Sequence, residues 1–193
     1  MATTARKTAR TGGTASARDS KGEVSFSLER QKNSEWCWAA VTVSVDRLFR
    51  PAAERTQCQI VGRSLRKACC GAGEDSCNIS GFLHEELQKL DLLSGEPIVK
   101  PISFAAVRRE VNAGRPVCVL IKWRDKHGNV TNRGHFITIR GYSVTPSGRQ
   151  FLTIADPLTG ETSVDYSRFA HPDLGYQDGT GKWHATFLVK RPS

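Results

Sequence analysis

The chain has 193 residues, 38% of them hydrophobic, and a formal net charge of +9. That length suits one domain with a real core plus a tail, and no run approaches the roughly 18 apolar residues of a membrane span. The basic residues are dispersed rather than clustered with aromatics, and no nucleic-acid reading module is visible, so a nucleic-acid partner is not expected, whereas an acidic partner or substrate stays open.

Residues 1–22 contain no Val, Ile, Leu or Phe, and five basic residues (Arg6, Lys7, Arg10, Arg18, Lys21) face Asp19 alone. Such a segment cannot bury enough surface to order itself, so a disordered basic tail is expected. It lacks the apolar stretch of a Sec signal peptide. A non-Sec export address, an arm to a larger toxin and a plain tail are the open readings. Val24 to Leu28 then reads as a short strand.

Gln31-Lys-Asn-Ser-Glu-Trp-Cys37-Trp38-Ala-Ala40 opens an apolar helix expected over Glu35–Phe49, with Ser34 as N-cap and Pro51 beyond its end. Cys37 falls in the first turn, where the helix's partial positive charge favours a thiolate. Alone it reads as a core cysteine between two tryptophans. Further helices are expected over 52–66, over 80–91 (Phe82, Leu83, Leu87 and Leu90 at helical spacing) and over Ser103–Asn112, stopped before Pro116.

From Val117 onward the pattern turns to strands: Val117–Trp123, His135–Tyr142, Phe151–Ala155, Thr162–Asp165 and Ala185–Val189. A hairpin through Pro146-Ser-Gly148 would bring His135, at the start of one strand, beside Asp156, at the end of the next, where Pro157 ends pairing. Alone, Asp156 reads as a turn residue. The ordered set Gln, Cys, His, Asp carries the signal: a thiolate nucleophile, its base, and an orienting group. A helical half followed by a sheet half is an α+β arrangement with its cleft at the junction.

Four of the six cysteines, Cys58, Cys69, Cys70 and Cys77, fall within twenty residues. Disulfides, zinc with His84 nearby, and reduced thiols are all compatible with the spacing, although adjacent Cys69-Cys70 is poor geometry for one tetrahedral metal. If disulfides form, one of Cys69 and Cys70 reaches Cys58 and the other Cys77. Cys118 lies in an apolar strand, as core. Trp38 is a candidate for the cleft floor, and Trp183 for covering the His135–Asp156 pair. His127, His171 and His184 have no assigned role.

Gln31, Cys37-Trp38-Ala39-Ala40, Gly134-His135-Phe136 and Ala155-Asp156-Pro157 resemble bacterial papain-like cysteine peptidases, notably the group containing avirulence effector proteases of plant pathogens and, more distantly, peptidase domains of bacteriocin exporters. The resemblance runs from about residue 24 to the end and takes in Thr56-Gln57-Cys58, Cys69-Cys70, Cys77-Asn78 and Gly114-Arg-Pro-Val117. It implies a papain-like domain over 23–193, with Cys37 as nucleophile, His135 as base and then acid, Asp156 as His orienter, and Gln31 with the Cys37 amide as oxyanion hole. His135 and Asp156 follow Cys37 by 98 and 119 residues, shorter than the roughly 130–150 of papain and cathepsins, and the plant Cys-Gly-x-Cys-Trp signature is absent.

The expected activity is hydrolysis of protein amide bonds through a thioester, without metal or organic cofactor, by a monomer. The same triad suits a glutamine deamidase or transglutaminase-like enzyme, and an inactive papain-like binding module is the non-enzymatic alternative. A bacterial effector or toxin is implied, secreted or delivered by a non-Sec route and restrained by an immunity protein or host activator.

Overall fold

Helical periodicity gives way to strand alternation at Gly114–Pro116, and the architecture changes at the same place. The computed structural model describes residues 20–71 and 75–193. The helices come first: α1 (Cys37–Phe49), α2 (Gln57–Leu65), a 3-10 turn at Asp75–Cys77, α3 (Leu83–Lys89) and α4 (Phe104–Asn112). After a short strand β1 (Lys21–Glu23) at the beginning, the remaining strands follow α4: β2 (Val117–Arg124), β3 (Val130–Val144), β4 (Gln150–Asp156), β5 (Gly160–Asp165) and β6 (Gly181–Phe187), with α5 (Tyr166–Phe169) after β5. This is the α+β arrangement read from the sequence.

Eleven of the thirteen residues of α1 are buried, which makes it the central helix. Its polar residues are satisfied within the core: Thr42 Oγ1 donates to Trp38 O and Ser44 Oγ to Ala40 O, while the buried Asp46 carboxylate accepts from Arg50 and Arg55 at 2.7 Å each. Pairing is what makes a buried carboxylate tolerable. Helix α2 starts at Gln57 rather than 52, because Thr56 and Gln59 form a reciprocal capping box. Ser103 caps α4 through the amide of Ala106.

The sheet runs β5-β4-β3-β2-β6, antiparallel throughout, and β1 pairs with β3. β1 extends the edge of β3 beyond the last pair with β2: Lys21–Glu23 face Ser143–Gly141, whereas Val117 faces Ile139. The strand expected at 24–28 is therefore displaced to 21–23. Val24 N still bonds Arg140 O at 2.8 Å, after which the chain leaves the sheet to bury Val24 and Phe26. Most of the expected tail, 1–19, lies outside the described residues, but Lys21 and Gly22 belong to the sheet. Gly22 fits because a Cβ there would sit 2.6 Å from the Tyr142 ring.

The cysteine cluster is paired as Cys58–Cys70 and Cys69–Cys77, so these four sulfurs are not a zinc site. Cys37 and Cys118 are free and buried. Among the described residues, no helix is long and apolar enough to cross a membrane.

Candidate active site

Cys37 is the first residue of α1, so its amide has no acceptor within the helix. The N-cap is Trp36 rather than Ser34, and it makes no side-chain capping bond. Ser34 Oγ is instead taken by Asn78 Nδ2 at 2.9 Å. The segment following the Cys69–Cys77 disulfide holds the front of the helix. Trp36 Nε1 donates to Cys77 O (2.9 Å), Trp38 Nε1 to Ile79 O (3.2 Å), and the Glu35 amide to Asn78 Oδ1 (2.9 Å). Gly81 lies flat on the Trp38 indole, where a Cβ would be 2.4 Å from the ring.

The strand register brings in the other half. β3 and β4 pair up to Thr138 opposite Ala155. One further step would put Asp156 opposite Ile137, on the same face as His135 and diagonal to it. His135 Nε2 and Asp156 Oδ1 are 2.8 Å apart, both residues buried. That leaves Nδ1 for the Cys37 sulfur, with which the His135 side chain is hydrogen-bonded. Burial works against protonating His135, but the bonds to Asp156 and Cys37 outweigh it and raise its pKa to about 9. Burial likewise resists ionising Asp156, yet its bonds to His135, the Leu158 amide and Tyr176 hold the carboxyl below its ordinary range.

Asp156 is held from several sides. Oδ1 also accepts from the amides of Leu158 (2.7 Å) and Thr159 (3.2 Å), and Oδ2 accepts from the Tyr176 hydroxyl at 2.9 Å. The turn after Asp156 is tied to the segment before the helix: Gln31 N bonds Pro157 O at 2.9 Å and an Arg30 guanidinium nitrogen bonds Leu158 O at 2.7 Å. These two bonds tie the two halves together beside the site.

Gln31 is near this junction, but its amide is committed elsewhere. Nε2 donates to Asn33 O (2.9 Å) and Ser34 O (2.8 Å), and Oε1 is buried without a partner. Trp38 lines the cleft. Trp183 does not cover the pair: it is buried against Phe169 (ring centroids 4.9 Å apart), and its Nε1 donates to Thr186 Oγ1. The ring stacked over His135 is Trp123, 6.2 Å away and 22° from parallel. The strand register explains the exchange. Ile121 faces both His135 and Trp183, so Trp123, two residues along β2 on the same face, reaches over the imidazole.

Cys37 and His135 open into a cleft of about 460 Å³ between the front of α1, the 80–82 segment and the β2–β3 strands. Apolar Trp38, Phe82, Leu120 and Phe136 line it together with Glu35, Lys122 and Arg133. Sequence reasoning missed Trp123 and Tyr176, and gave Asn78 no role of its own. Strand alternation from Ile121 could have found Trp123, whereas Tyr176 lies in a loop with no periodic signal.

The model of the Peptidase C39 like family matches residues 23–178. No curated protein sequence matches the chain. Among solved structures, the chain is similar to digestive procathepsin L 3 of the Tenebrio molitor larval midgut, with TM-score 0.53 and 13% identity over 89% of this chain and 70% of that one. It is also similar to the bromelain protease of Ananas comosus in complex with the E64 inhibitor (TM-score 0.51, 10% identity, 85% of this chain and 93% of that one). A third is the ragweed pollen allergen cysteine protease in its proform (TM-score 0.52, 16% identity, 92% of this chain and 67% of that one). At these identities the likeness is one of fold.

Proposed function

The chain belongs to the Peptidase C39 like family and is a cysteine peptidase of papain-like fold, and from that premise we propose that Cys37, His135 and Asp156 are its catalytic triad. The observation that carries this reading is the chain of contacts from the Cys37 sulfur through His135 to Asp156 at the mouth of the cleft. His135 takes the Cys37 proton, giving a thiolate–imidazolium pair. The thiolate attacks the amide carbonyl, His135 gives its proton to the leaving amine, and water then hydrolyses the thioester with His135 as base.

The Cys37 amide and Gln31 hold the oxyanion. Gln31 must first leave the carbonyls of Asn33 and Ser34, and its unpartnered Oε1 makes that resting position less favourable, since a buried unsatisfied acceptor costs about 1–3 kcal/mol. The cleft takes a protein or peptide chain. Hydrolysis is distinguished from glutamine deamidation by product mass: cleavage gives two fragments, and deamidation adds about one dalton to an uncut substrate through the same acyl-enzyme.

The wider role is that of a secreted enzyme, a bacterial effector or toxin. Support comes from the two disulfides, which form and persist in oxidising compartments, and from the resemblance to effector proteases. A host activator or an immunity protein would restrain such an enzyme.

The test is intact mass before and after an irreversible epoxide inhibitor of papain-like enzymes, with Cys37→Ala and His135→Ala in parallel. One adduct on the wild type, absent from both variants, is expected. An adduct retained in Cys37→Ala, or none on folded wild type, overturns the assignment.

A further inference from the structure

We propose that Tyr176 is a positioning residue of the catalytic apparatus, acting through Asp156, an inference that rests on the triad reading. The carboxylate that orients His135 has two oxygens with different duties. Oδ1 faces His135 and the amides of Leu158 and Thr159, all within 3.2 Å. Oδ2 has the Tyr176 hydroxyl at 2.9 Å. Without that donor, an oxygen of an anion would be buried with nothing to spread its charge, a costly state in a low-dielectric site.

The phenol is fixed from its own side. Tyr176 and Gly181 bond each other through both backbone groups, at 2.6 and 2.9 Å, and the ring meets Phe169 edge-on at 5.8 Å. The loop that presents it is tightly built. Gly175 has φ +45°, and a Cβ there would sit 1.9 Å from Gly181 O, so only glycine fits before Tyr176. Gln177 and Asp178 follow in the left-handed region, at φ 47° and 56°. Such strain persists only where the surroundings over-determine it. Burial, followed by the neighbouring Asp156 charge, pushes the phenol's pKa well above its ordinary value, so it remains a donor wherever the enzyme works.

Other charged groups around Asp156 are accounted for. His135 and Cys37 face it through the triad. Arg30, Arg140 and Glu161 line a small cavity on another side, where Arg140 is ion-paired with Glu23 and Glu161. Tyr176 alone donates a side-chain hydroxyl to Oδ2 among the described contacts. Its effect on the reaction follows from the sign of that bond. By drawing charge from Asp156, Tyr176 moderates how tightly the imidazolium holds its proton, the one His135 must give to the leaving amine. Removing the hydroxyl leaves a more basic carboxylate, a more tightly held proton and a less rigid imidazole.

Wild type, Tyr176→Phe, Asp156→Asn and the double variant test this. Each is followed by hydrolysis of a fluorogenic peptide library, by the pH dependence of Cys37 alkylation with iodoacetamide, which needs no substrate, and by thermal melting. Phe keeps the ring against Phe169 but leaves the buried Asp156 Oδ2 without its donor, so a lowered Tm with a single cooperative melt is expected. Tyr176→Phe should lower kcat about 10- to 100-fold, the range for one hydrogen bond to a charged group, with KM within about two-fold. Its alkaline limb in the alkylation profile should move upward. The double variant should be no worse than Asp156→Asn. Wild-type behaviour in Tyr176→Phe, or an equal further loss on top of Asp156→Asn, overturns the inference while leaving the triad standing. A wild-type Cys37 that alkylates no faster than an ordinary exposed thiol overturns the triad and this inference with it.

Discussion

His135 is the residue whose protonation ties the site to solution conditions. Its pKa, raised to about 9, keeps the imidazolium through neutral pH, so the alkaline limb of kcat/KM should lie near pH 9 rather than near the ordinary 6.5. In Asp156→Asn that limb should move down, because one of the groups holding the proton loses its charge; a pH–rate series on both proteins checks this. Gln31→Ala, which deletes the proposed oxyanion donor, should cost about 100- to 1000-fold in kcat, with little net change in Tm because the two Nε2 hydrogen bonds are lost along with a buried unpartnered oxygen. His135 and Asp156 could be paired from sequence because each sits at a strand end that the hairpin turn brings together. The committed state of the Gln31 amide could not be, since it depends on carbonyls two and three residues away whose direction is set by packing.

The element that decides whether Cys37 is held in place is the short run from Cys77 to Gly81. It places two carbonyls under the Trp36 and Trp38 indoles and puts an asparagine side chain against Glu35 and Ser34. Gly81→Ala should destabilise by about 1–3 kcal/mol, as overpacking does, and should slow Cys37 alkylation by displacing Trp38; melts and alkylation rates report the two separately. Cys69→Ser with Cys77→Ser should cost about 2–5 kcal/mol in denaturant unfolding and should reduce inhibitor labelling of Cys37 even below the melting transition. The central helix and both halves of the hairpin were legible as periodic runs. Where the reading failed, at the displaced β1, the late start of α2 and the exchange of Trp183 for Trp123, the cause was local: a glycine permitting close approach, a capping box, a strand register.

At the scale of the whole molecule, the α+β division was legible because apolar periodicity changes once along the chain, while the mutual placement of the halves rests on contacts with no sequence signature. The Gln31–Pro157 and Arg30–Leu158 bonds are of that kind. Carboxylates at this junction and elsewhere set the acid limit. Asp156 and Glu86 are depressed below their ordinary values of 3.8 and 4.5, burial being outweighed by His135 for the first and by Lys89 and Arg63 for the second. Their stabilisation is present above those values and lost as pH falls through the depressed ones. His135 contributes in the opposite sense, fully below 6.5 and lost as pH rises through about 9. Thermal melts should therefore plateau between about pH 4.5 and 6.5 and decline on both sides, with Asp156→Asn flattening both limbs.

The Cys69–Cys77 bond sits one residue from groups that hold the front of α1, while the proposed nucleophile at that front is a free thiol and must stay one to react. Reductant therefore acts on this molecule in two opposed ways. A little rescues a Cys37 capped by oxidation, and more dissolves the support beneath it. Activity plotted against dithiothreitol concentration should rise and then fall, a pass-band of redox strength, so a preparation handled in the strongly reducing buffers customary for thiol enzymes would look dead for a reason unrelated to its catalytic residues.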